Sequence, residues 1–285
     1  QPDVISHDVL PNKLRVQIVH ILLDTLGHSN QHYEIEQVYQ RIKNIVCREH
    51  GVFRLNQYNY EGVLKEVLNS VTDNTIDIAL DVIEVSFRMS QALDDSFLRI
   101  EYAPLNSADA ISELNERFKE NAVGYRFEGE QLIKVDSTVE YQEVIKPTIF
   151  LLHNNKRFKA SCDEYMKAHG HYKDGLNNEC INSCLKSFES TMKIICDTKS
   201  WKYTSKDGAT KLIQICFDNQ LIPSYLQSQF TALRSVLESG IPTIRNQESA
   251  HGKPNTKSNK ADSELARYAL NLTGANIIYF IEQSL

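Results

Sequence analysis

A chain of 285 residues exceeds the usual size of one domain, so two domains are the first expectation. Its hydrophobic content of 41% and charged content of 24% are those of an ordinary globular protein, which excludes a chain too polar to bury a core. No apolar run approaches the roughly 20 residues that a membrane span requires, and the first residues lack the basic and apolar regions of a secretion signal. We therefore expect a soluble, cytoplasmic protein that does not contact a membrane.

The formal net charge of −6 is unevenly distributed along the chain. Residues 1–138 hold 13 Lys and Arg against 22 Asp and Glu, a net charge of −9, whereas residues 139–285 hold 18 against 15, a net charge of +3. The mildly basic second half is compatible with an RNA substrate, although it is far less basic than a dedicated nucleic-acid scaffold. We expect local binding that weakens as the salt concentration rises.

Apolar residues at helical spacing predict five helices in the first half. They lie at residues of about 11–26, 34–50, 60–71, 76–87 and 107–118. Ser107 is the predicted N-cap of the fifth helix. An acidic face at helical spacing, Asp73, Asp77, Asp81 and Glu84, is interpreted as solvated surface rather than as a two-metal nuclease centre.

Residues 122–135 form a different pattern, with strand-forming residues on both sides of Glu128-Gly129. This pattern predicts one β-hairpin. The hairpin could act as a DNA-binding wing, in which Arg126 and Lys134 contact the nucleic-acid backbone. We favour the alternative that it covers the helical core or a partner, because the surrounding half is strongly acidic.

The second half is predicted to be helical throughout. Its helices lie at residues of about 139–153, 156–169, 175–198, 209–219, 223–239 and from Asp262 or Ser263 to 283. The expected fold class is therefore mainly α: residues 1–138 form a helical domain with one β-hairpin, and residues 139–285 form a helical bundle.

The motifs of cofactor and metal sites are not found in the sequence. There is no glycine-rich phosphate loop and no HExxH, so we expect no cofactor and no metal. The six cysteines form no CxxC pair. Cys180 and Cys184 could hold zinc together with a distant histidine, but Phe188 and Ile195 continue the same helical face, which favours a buried core stripe. His169 and His171 have no carboxylate at ligand spacing and are interpreted as structural.

Residues 244–252 are the best candidate for chemistry, because they concentrate polar side chains between Pro242 and Pro254. Arg245 is a permanent cation whose planar guanidinium suits phosphate, and His251 can exchange a proton near neutral pH. The pair therefore indicates a reaction at a phosphodiester. A bare Arg-x(4–6)-His pattern is weak, since Arg15 and His20 also satisfy it within an amphipathic helix. We interpret that first pair as structural.

Four segments of the chain resemble a known superfamily. Residues 174–196, 230–234 and 244–252 are similar to HEPN ribonucleases, and in particular to the C-terminal domain of abortive-infection (AbiJ-type) proteins. Residues 8–15 are similar to the N-terminal domain that accompanies it in one AbiJ-like family. The superfamily motif is an arginine, a polar residue and, after four to six intervening residues, a histidine; Arg245, Asn246 and His251 match it. Many relatives carry a glycine inside the motif, where this chain has Gln247-Glu248-Ser249.

The resemblance implies a metal-independent endoribonuclease. His251 would act as general base or acid in the attack of the RNA 2′-hydroxyl, which leaves 2′,3′-cyclic phosphate ends. Arg245 would neutralise charge on the phosphoryl oxygens, and Asn246 would position the phosphate or the histidine. Glu248 is a candidate for orienting His251, and Lys253 and Lys257 for binding RNA.

The spacing of the motif bears on how the site is assembled. In a regular helix, residues six apart lie about 120° out of line and about 9 Å apart along the axis, so Arg245 and His251 of one chain do not converge easily. Either the backbone is irregular there, or two chains combine their motifs across a two-fold axis, which is what the resemblance implies.

The same resemblance implies a biological setting. The protein would be an effector of antiphage abortive infection or of a toxin–antitoxin system, with an antitoxin or another regulatory protein as partner. The first domain would sense a trigger, hold that partner or restrain the site. The alternative from another class of function is a catalytically silent HEPN-like adaptor in a defence complex.

Overall fold

The computed structural model describes residues 5–28, 33–56, 62–94, 104–232, 235 and 260–284. The chain divides into two compact units, Gln1–Asp136 and Ser137–Leu285. Apart from one antiparallel strand pair, the regular structure of the described residues is helical, and the predicted mainly α fold is confirmed. The domain boundary after residue 138 and the roles given to the two halves stay predictions. In the described ranges, no helix is both long and apolar enough to cross a membrane.

The helices of the first unit bury their apolar faces against one another. They are α1 (Asn12–Leu26), α2 (Tyr33–Glu49), α3 (Val63–Asp73), α4 (Ile76–Asp94) and α5 (Ser107–Glu120). The predicted cap of α5 was wrong by one residue. Asn106, not Ser107, has extended backbone, and its side chain accepts a hydrogen bond of 2.8 Å from the amide of Asp109.

Arg15 is a structural residue, as predicted. It is buried in α1, where its Nε donates to the carbonyl of Leu10 at 2.9 Å and its Nη1 donates to the carbonyls of Val71 and Asn74 at 2.6 and 3.1 Å. The two Nη1 bonds satisfy carbonyls at the C-terminal end of α3, which have no partner within that helix. His20 is exposed, so this first Arg–His pair forms no site.

The predicted hairpin is confirmed and covers the helical core of the first unit. Strands β1 (Tyr125–Glu128) and β2 (Gln131–Lys134) pair so that Phe127 faces Leu132, and both residues are buried. The side chain of Asn115 in α5 makes two hydrogen bonds to the backbone of Phe127. It accepts one from the Phe127 amide at 2.7 Å and donates one to the Phe127 carbonyl at 3.1 Å. The hairpin is therefore part of the core.

The hypothesis that this hairpin is a DNA-binding wing required Arg126 to be exposed, and Arg126 is buried. Arg126 is 5% exposed, and its Nη1 donates to the carbonyls of Val123 and Tyr125. A guanidinium turned into the unit is not available to a nucleic-acid backbone. We therefore exclude Arg126 as a DNA contact.

The second unit is built from helices close to the predicted positions. They are α6 (Thr138–Glu140), which continues through a π-helical stretch (Tyr141–Ile145) into α7 (Lys146–Asn154), then α8 (Lys159–Lys173), α9 (Asn177–Lys199), α10 (Ala209–Asp218) and α11 (Lys260–Ser284). Short 3₁₀ turns lie at Lys156–Phe158 and Ser224–Leu226. The last helix begins at Lys260, earlier than the predicted Asp262 or Ser263. Of the predicted helix 223–239, residues 227–232 are helical and most of the remainder lies outside the described residues.

Helices α8 and α9 pack closely and run antiparallel. Ser161 in α8 hydrogen-bonds with Ser187 and Thr191 in α9, at 3.1 and 2.6 Å between the hydroxyl oxygens. One turn later in α8, Tyr165 lies close to Cys184. Small hydroxyl residues let the two backbones approach and satisfy each other's polar groups at the same time.

All six cysteines are buried and free, as expected of core residues in the absence of disulfides. The hydrogen bond with Cys184, together with burial, raises the pKa of Cys180 and favours its neutral thiol. The predicted core stripe on α9 is confirmed, because Cys180, Cys184, Phe188 and Ile195 are all buried.

Helix α11 approaches α7 and α8 closely at Gly274. A Cβ atom there would lie 2.5 Å from the Tyr165 hydroxyl, 2.9 Å from Thr148 Oγ1 and 3.0 Å from Val144 Cγ1. Tyr165 is fully buried, so its hydroxyl has little room to move. Glycine at this position therefore permits the helix contact.

We expect Gly274→Ala to destabilise the protein, although alanine is the better helix former. Overpacking of this kind costs about 1–3 kcal/mol. The gain in helix propensity from glycine to alanine is about 1 kcal/mol, so the net effect is destabilising over most of that range. Denaturant unfolding followed by circular dichroism would measure the change. A stabilised variant would show that the contact at Gly274 relaxes without strain.

Candidate functional site

The predicted site residues lie outside the described residues. This applies to the catalytic candidates Arg245, Asn246 and His251, to the supporting Glu248, and to the RNA-binding candidates Lys253 and Lys257. Their roles stay predictions. The structure describes the helical elements on either side of them, one that includes residues 227–232 and one that begins at residue 260.

On the N-terminal side, an aromatic cluster anchors the chain. Phe230, in the helical segment 227–232, is buried, and its ring centroid lies 5.3 Å from Phe280, 6.1 Å from Tyr279 and 6.2 Å from Phe217. Edge-to-face and stacked aromatic pairs at such distances add to the stabilisation from burial. Residues 227–232 therefore lie beside the C-terminal end of α11.

On the C-terminal side, α11 packs against α8 and α9. Phe280 packs on Phe188 of α9 at 5.3 Å, and Tyr165, which lies near Cys184 of α9, donates to the carbonyl of Leu270 at 3.4 Å. Helices α9 and α11 thus run in the same direction. Because the start of α11 precedes Phe280 by about 30 Å of helix, residues 232 and 260 lie far apart in the second unit.

The first half of α11 is tied to α6 by a polar cluster. Glu140 accepts hydrogen bonds from Arg267 at 2.8 Å and from Asn271 at 2.9 Å. The side chains of Glu140 and Arg267 are 30% and 41% exposed, so this ion pair contributes about 1 kcal/mol at most. Its role is to fix the orientation of the helix that follows the predicted motif. No sequence signal pointed to it, because the partners are more than 120 residues apart.

His169 is a core histidine of the second unit. Its ring is 1% exposed, packs edge-to-face on Tyr165 at 4.8 Å, and has no hydrogen-bond partner on either nitrogen within the described structure. Burial lowers the pKa of His169 from 6.5 to about 3. The residue is therefore neutral at physiological pH and is not positioned for proton transfer with a substrate.

The lowered pKa of His169 predicts a pH dependence of stability. Since the folded pKa lies below the unfolded value, the unfolded chain takes up a proton first as the pH falls, and stability is lost progressively from pH 6.5 towards pH 3. At pH 5 the loss from this group is about 2 kcal/mol. In His169→Leu, the difference in unfolding free energy between pH 7 and pH 5 should shrink by that amount. The other titrating groups, His7 included, are present in both proteins, so their contributions cancel in the comparison. If the difference in unfolding free energy between pH 7 and pH 5 is the same in wild type and variant, the prediction is contradicted.

Two of the four acidic residues interpreted as solvated surface, Asp81 and Glu84, make contacts within the first unit, whereas the other two are exposed as expected. Asp81 lies 2.8 Å from His50 Nε2, and Glu84 accepts a hydrogen bond of 3.0 Å from the amide of Leu132 in the hairpin. These carboxylates hold the first unit together. Across the described ranges, no group of three or more His, Cys, Asp or Glu residues is arranged to hold a metal ion.

The fold is that of a mainly α-helical protein with two units, of which the second is a helical bundle. Residues 1–148 match the family model of AbiJ N-terminal domain 4, and residues 160–284 match that of a HEPN-like domain. The first match covers more than half of the chain, which therefore belongs to the AbiJ N-terminal domain 4 family and carries a HEPN-like domain after it. This architecture marks an abortive-infection protein. Neither the curated proteins nor the solved structures gave a match.

Proposed function

We propose that the protein is a metal-independent endoribonuclease whose site is formed by Arg245, Asn246 and His251. The observation that carries the proposal is the HEPN-like match over residues 160–284, within which the Arg-Asn…His motif lies. Arginine and histidine are also the residue types that RNA cleavage by its own 2′-hydroxyl requires: a fixed cation for the phosphate and a group that exchanges a proton near pH 7.

In this mechanism the 2′-hydroxyl attacks the adjacent phosphorus and the 5′-oxygen of the next nucleotide leaves. His251 removes the proton from the attacking hydroxyl or delivers one to the leaving oxygen. Arg245 stabilises the charge that grows on the phosphoryl oxygens, and Asn246 holds the phosphate or the imidazole. Glu248 orients His251, while Lys253 and Lys257 contact the RNA backbone. The products carry 2′,3′-cyclic phosphate and 5′-hydroxyl ends.

The site is proposed to form between two copies of the chain. A regular helix would place Arg245 and His251 about 120° apart around its axis, which argues against one chain presenting both to a single phosphate. A two-fold axis removes this difficulty, because Arg245 of one copy can then meet His251 of the other.

The proposed setting is defence against phage by abortive infection, or a toxin–antitoxin system, in which RNA cleavage arrests growth. The AbiJ-type unit would sense a trigger, bind a neutralising protein or restrain the nuclease. This proposal rests on the pairing of an AbiJ N-terminal domain with a HEPN-like domain in one chain.

The test is cleavage of end-labelled RNA in excess EDTA, beside a DNA of the same sequence. We expect the RNA alone to be cut, because DNA lacks the 2′-hydroxyl nucleophile, and the new ends to be 2′,3′-cyclic phosphates. Cleavage that requires a divalent cation, or that also cuts DNA, would overturn the proposed mechanism.

A second candidate function is a catalytically silent adaptor of a defence complex. Gln247-Glu248-Ser249 favours it, since these residues stand where many relatives have a glycine. Full-length protein that binds RNA and dimerises without cutting would support this alternative, provided that a variant lacking residues 1–136 is equally silent. Cleavage that begins on removal of the first unit would instead identify a restrained enzyme.

A further inference from the structure

Two segments of the second unit are strongly basic in a chain that is acidic overall. Residues 156–159 and 193–211 hold eight Lys and Arg against two Asp, whereas the whole chain has a net charge of −6. Lys193 is half-buried and the other seven cations are exposed. The eight are Lys156, Arg157, Lys159, Lys193, Lys199, Lys202, Lys206 and Lys211.

The fold brings both segments to the same end of the second unit. Because α8 runs antiparallel to α9 and Ser161 contacts Thr191, the turn before α8 lies beside the last turns of α9. Packed helix axes are about 8–10 Å apart. The exposed cations of residues 156–159 and those at the end of α9 therefore lie at the same end of the second unit. We call these eight side chains the basic end.

The loop that carries the central lysines of the basic end is held in one conformation. Ser200 has left-handed backbone with a φ of 58°, and the amide of Trp201 donates to the carbonyl of Cys196 at 2.8 Å. Asp207 accepts hydrogen bonds from the amide and hydroxyl of Thr204 at 2.9 and 2.8 Å. The loop ends where the amide of Ala209 donates to the side chain of Glu189 at 2.8 Å. A preorganised loop loses little conformational entropy on binding a ligand.

The lysines of this loop are not neutralised by neighbouring carboxylates. Within the described part of the chain, Lys199, Lys202 and Lys206 have no ion-pair partner. Asp197 accepts a hydrogen bond from the hydroxyl of Tyr203 at 3.1 Å, and Asp207, which accepts from Thr204, is close enough to Lys193 and Lys211 to offset part of their charge. The positive potential of the basic end therefore faces solvent.

Two aromatic rings lie among these lysines. Trp201 and Tyr203 flank Lys202 in the sequence, and both are partly exposed. Their positions are fixed by the helix cap at Ser200 and by the hydrogen bond to Asp197. Lysines interleaved with partly exposed aromatic rings are what single-stranded nucleic acids bind, because phosphates pair with the cations and bases stack on the rings.

We propose that the basic end binds single-stranded RNA, with its lysines on the phosphates and with bases stacked on Trp201 and Tyr203. The choice of RNA rests on the proposed endoribonuclease function. The surface would hold a stretch of the substrate, and it accounts for RNA affinity without Lys253 and Lys257. An acidic protein would match the charge but would make no use of stacking on the rings.

The binding test uses the only tryptophan of the chain as its reporter. Full-length protein is titrated with 2′-O-methyl RNA of about 20 nucleotides, which offers phosphates and bases but no 2′-hydroxyl nucleophile. We expect Trp201 fluorescence to be quenched with the same midpoint as the rise in anisotropy of an end-labelled probe.

The decisive variant reverses two exposed loop charges, Lys202→Glu with Lys206→Glu. We expect its Kd to rise by about tenfold or more, and the slope of log K against log salt to shrink by about 1.4, for two lost phosphate contacts. The matched control is Lys167→Glu with Lys186→Glu, which makes the same charge change at exposed positions in the middle of α8 and α9. The control should bind within twofold of wild type.

The outcomes separate this inference from the proposed function. Wild type that binds through the basic end but leaves unmodified RNA uncut, both as the full chain and after removal of residues 1–136, would overturn the nuclease and keep the surface. Equal weakening in both double variants, binding without a change in Trp201 fluorescence, or no RNA binding would overturn the surface. Quenching of Trp201 fluorescence by an acidic peptide but not by RNA would also overturn RNA binding by the basic end.

Discussion

We expect His251→Ala to slow RNA cleavage by a factor of about 10²–10⁴, the usual contribution of a general acid or base. Arg245→Ala should cost about 10²–10³, because the charge on the phosphoryl oxygens would then develop without its fixed cation. Both decreases should be seen in the single-turnover rate of cleavage of end-labelled RNA in EDTA. Circular dichroism would confirm that the variants are folded.

The matched control is His20→Ala, which removes the exposed histidine of the other Arg-x(4–6)-His pair. It should cleave at the wild-type rate, because Arg15 is bound to backbone carbonyls and no site exists there. Cutting that persists in both Arg245→Ala and His251→Ala would place the active site elsewhere in the chain.

Mixing the two inactive variants tests whether the site is shared between copies. If Arg245 of one copy works with His251 of the other, a dimer of the two variants keeps one intact site out of two. Random exchange then makes about half of all dimers mixed and restores about a quarter of wild-type activity. A site within one chain, or a protein that stays monomeric, gives no recovery.

The second large effect is expected in the core on which the predicted site depends. Phe280 is fully buried, and its ring lies 5.3 Å from both Phe188 and Phe230. Phe280→Ala should destabilise the second unit by about 3–5 kcal/mol, through lost burial and the cavity left behind. The same change removes the anchor of Phe230, so RNA cleavage should fall with stability.

Phe150→Ala is the matched control for Phe280→Ala. Phe150 lies on α7 in the same unit and is 66% exposed, so its removal should change stability by about 0.5 kcal/mol or less. Denaturant unfolding of the full-length protein compares the two variants directly. If both shift the midpoint equally, the aromatic cluster around Phe230 contributes nothing specific.

The sequence by itself determined the helices and the hairpin, because both follow from local periodicity. In α9, Cys180, Cys184, Phe188 and Ile195 recur at helical spacing, and burial of that face is the direct consequence. The hairpin followed from strand formers on either side of a glycine turn. The Arg245–His251 candidate was likewise found from residue types and a family resemblance, and it remains a proposal about chemistry rather than about geometry.

Only the tertiary structure decided which distant residues meet. Arg126 reads as a surface cation in the sequence, but the hairpin turns its guanidinium towards buried carbonyls. Glu140 and Arg267 meet because α11 packs beside the π-helical stretch and α7, a contact between residues more than 120 positions apart. The basic end arises in the same way. Lys156 and Lys202 are separated along the chain and lie at one end of the bundle because α8 and α9 pack antiparallel, and the hydrophobic burial that drives such packing is not a local property of the sequence.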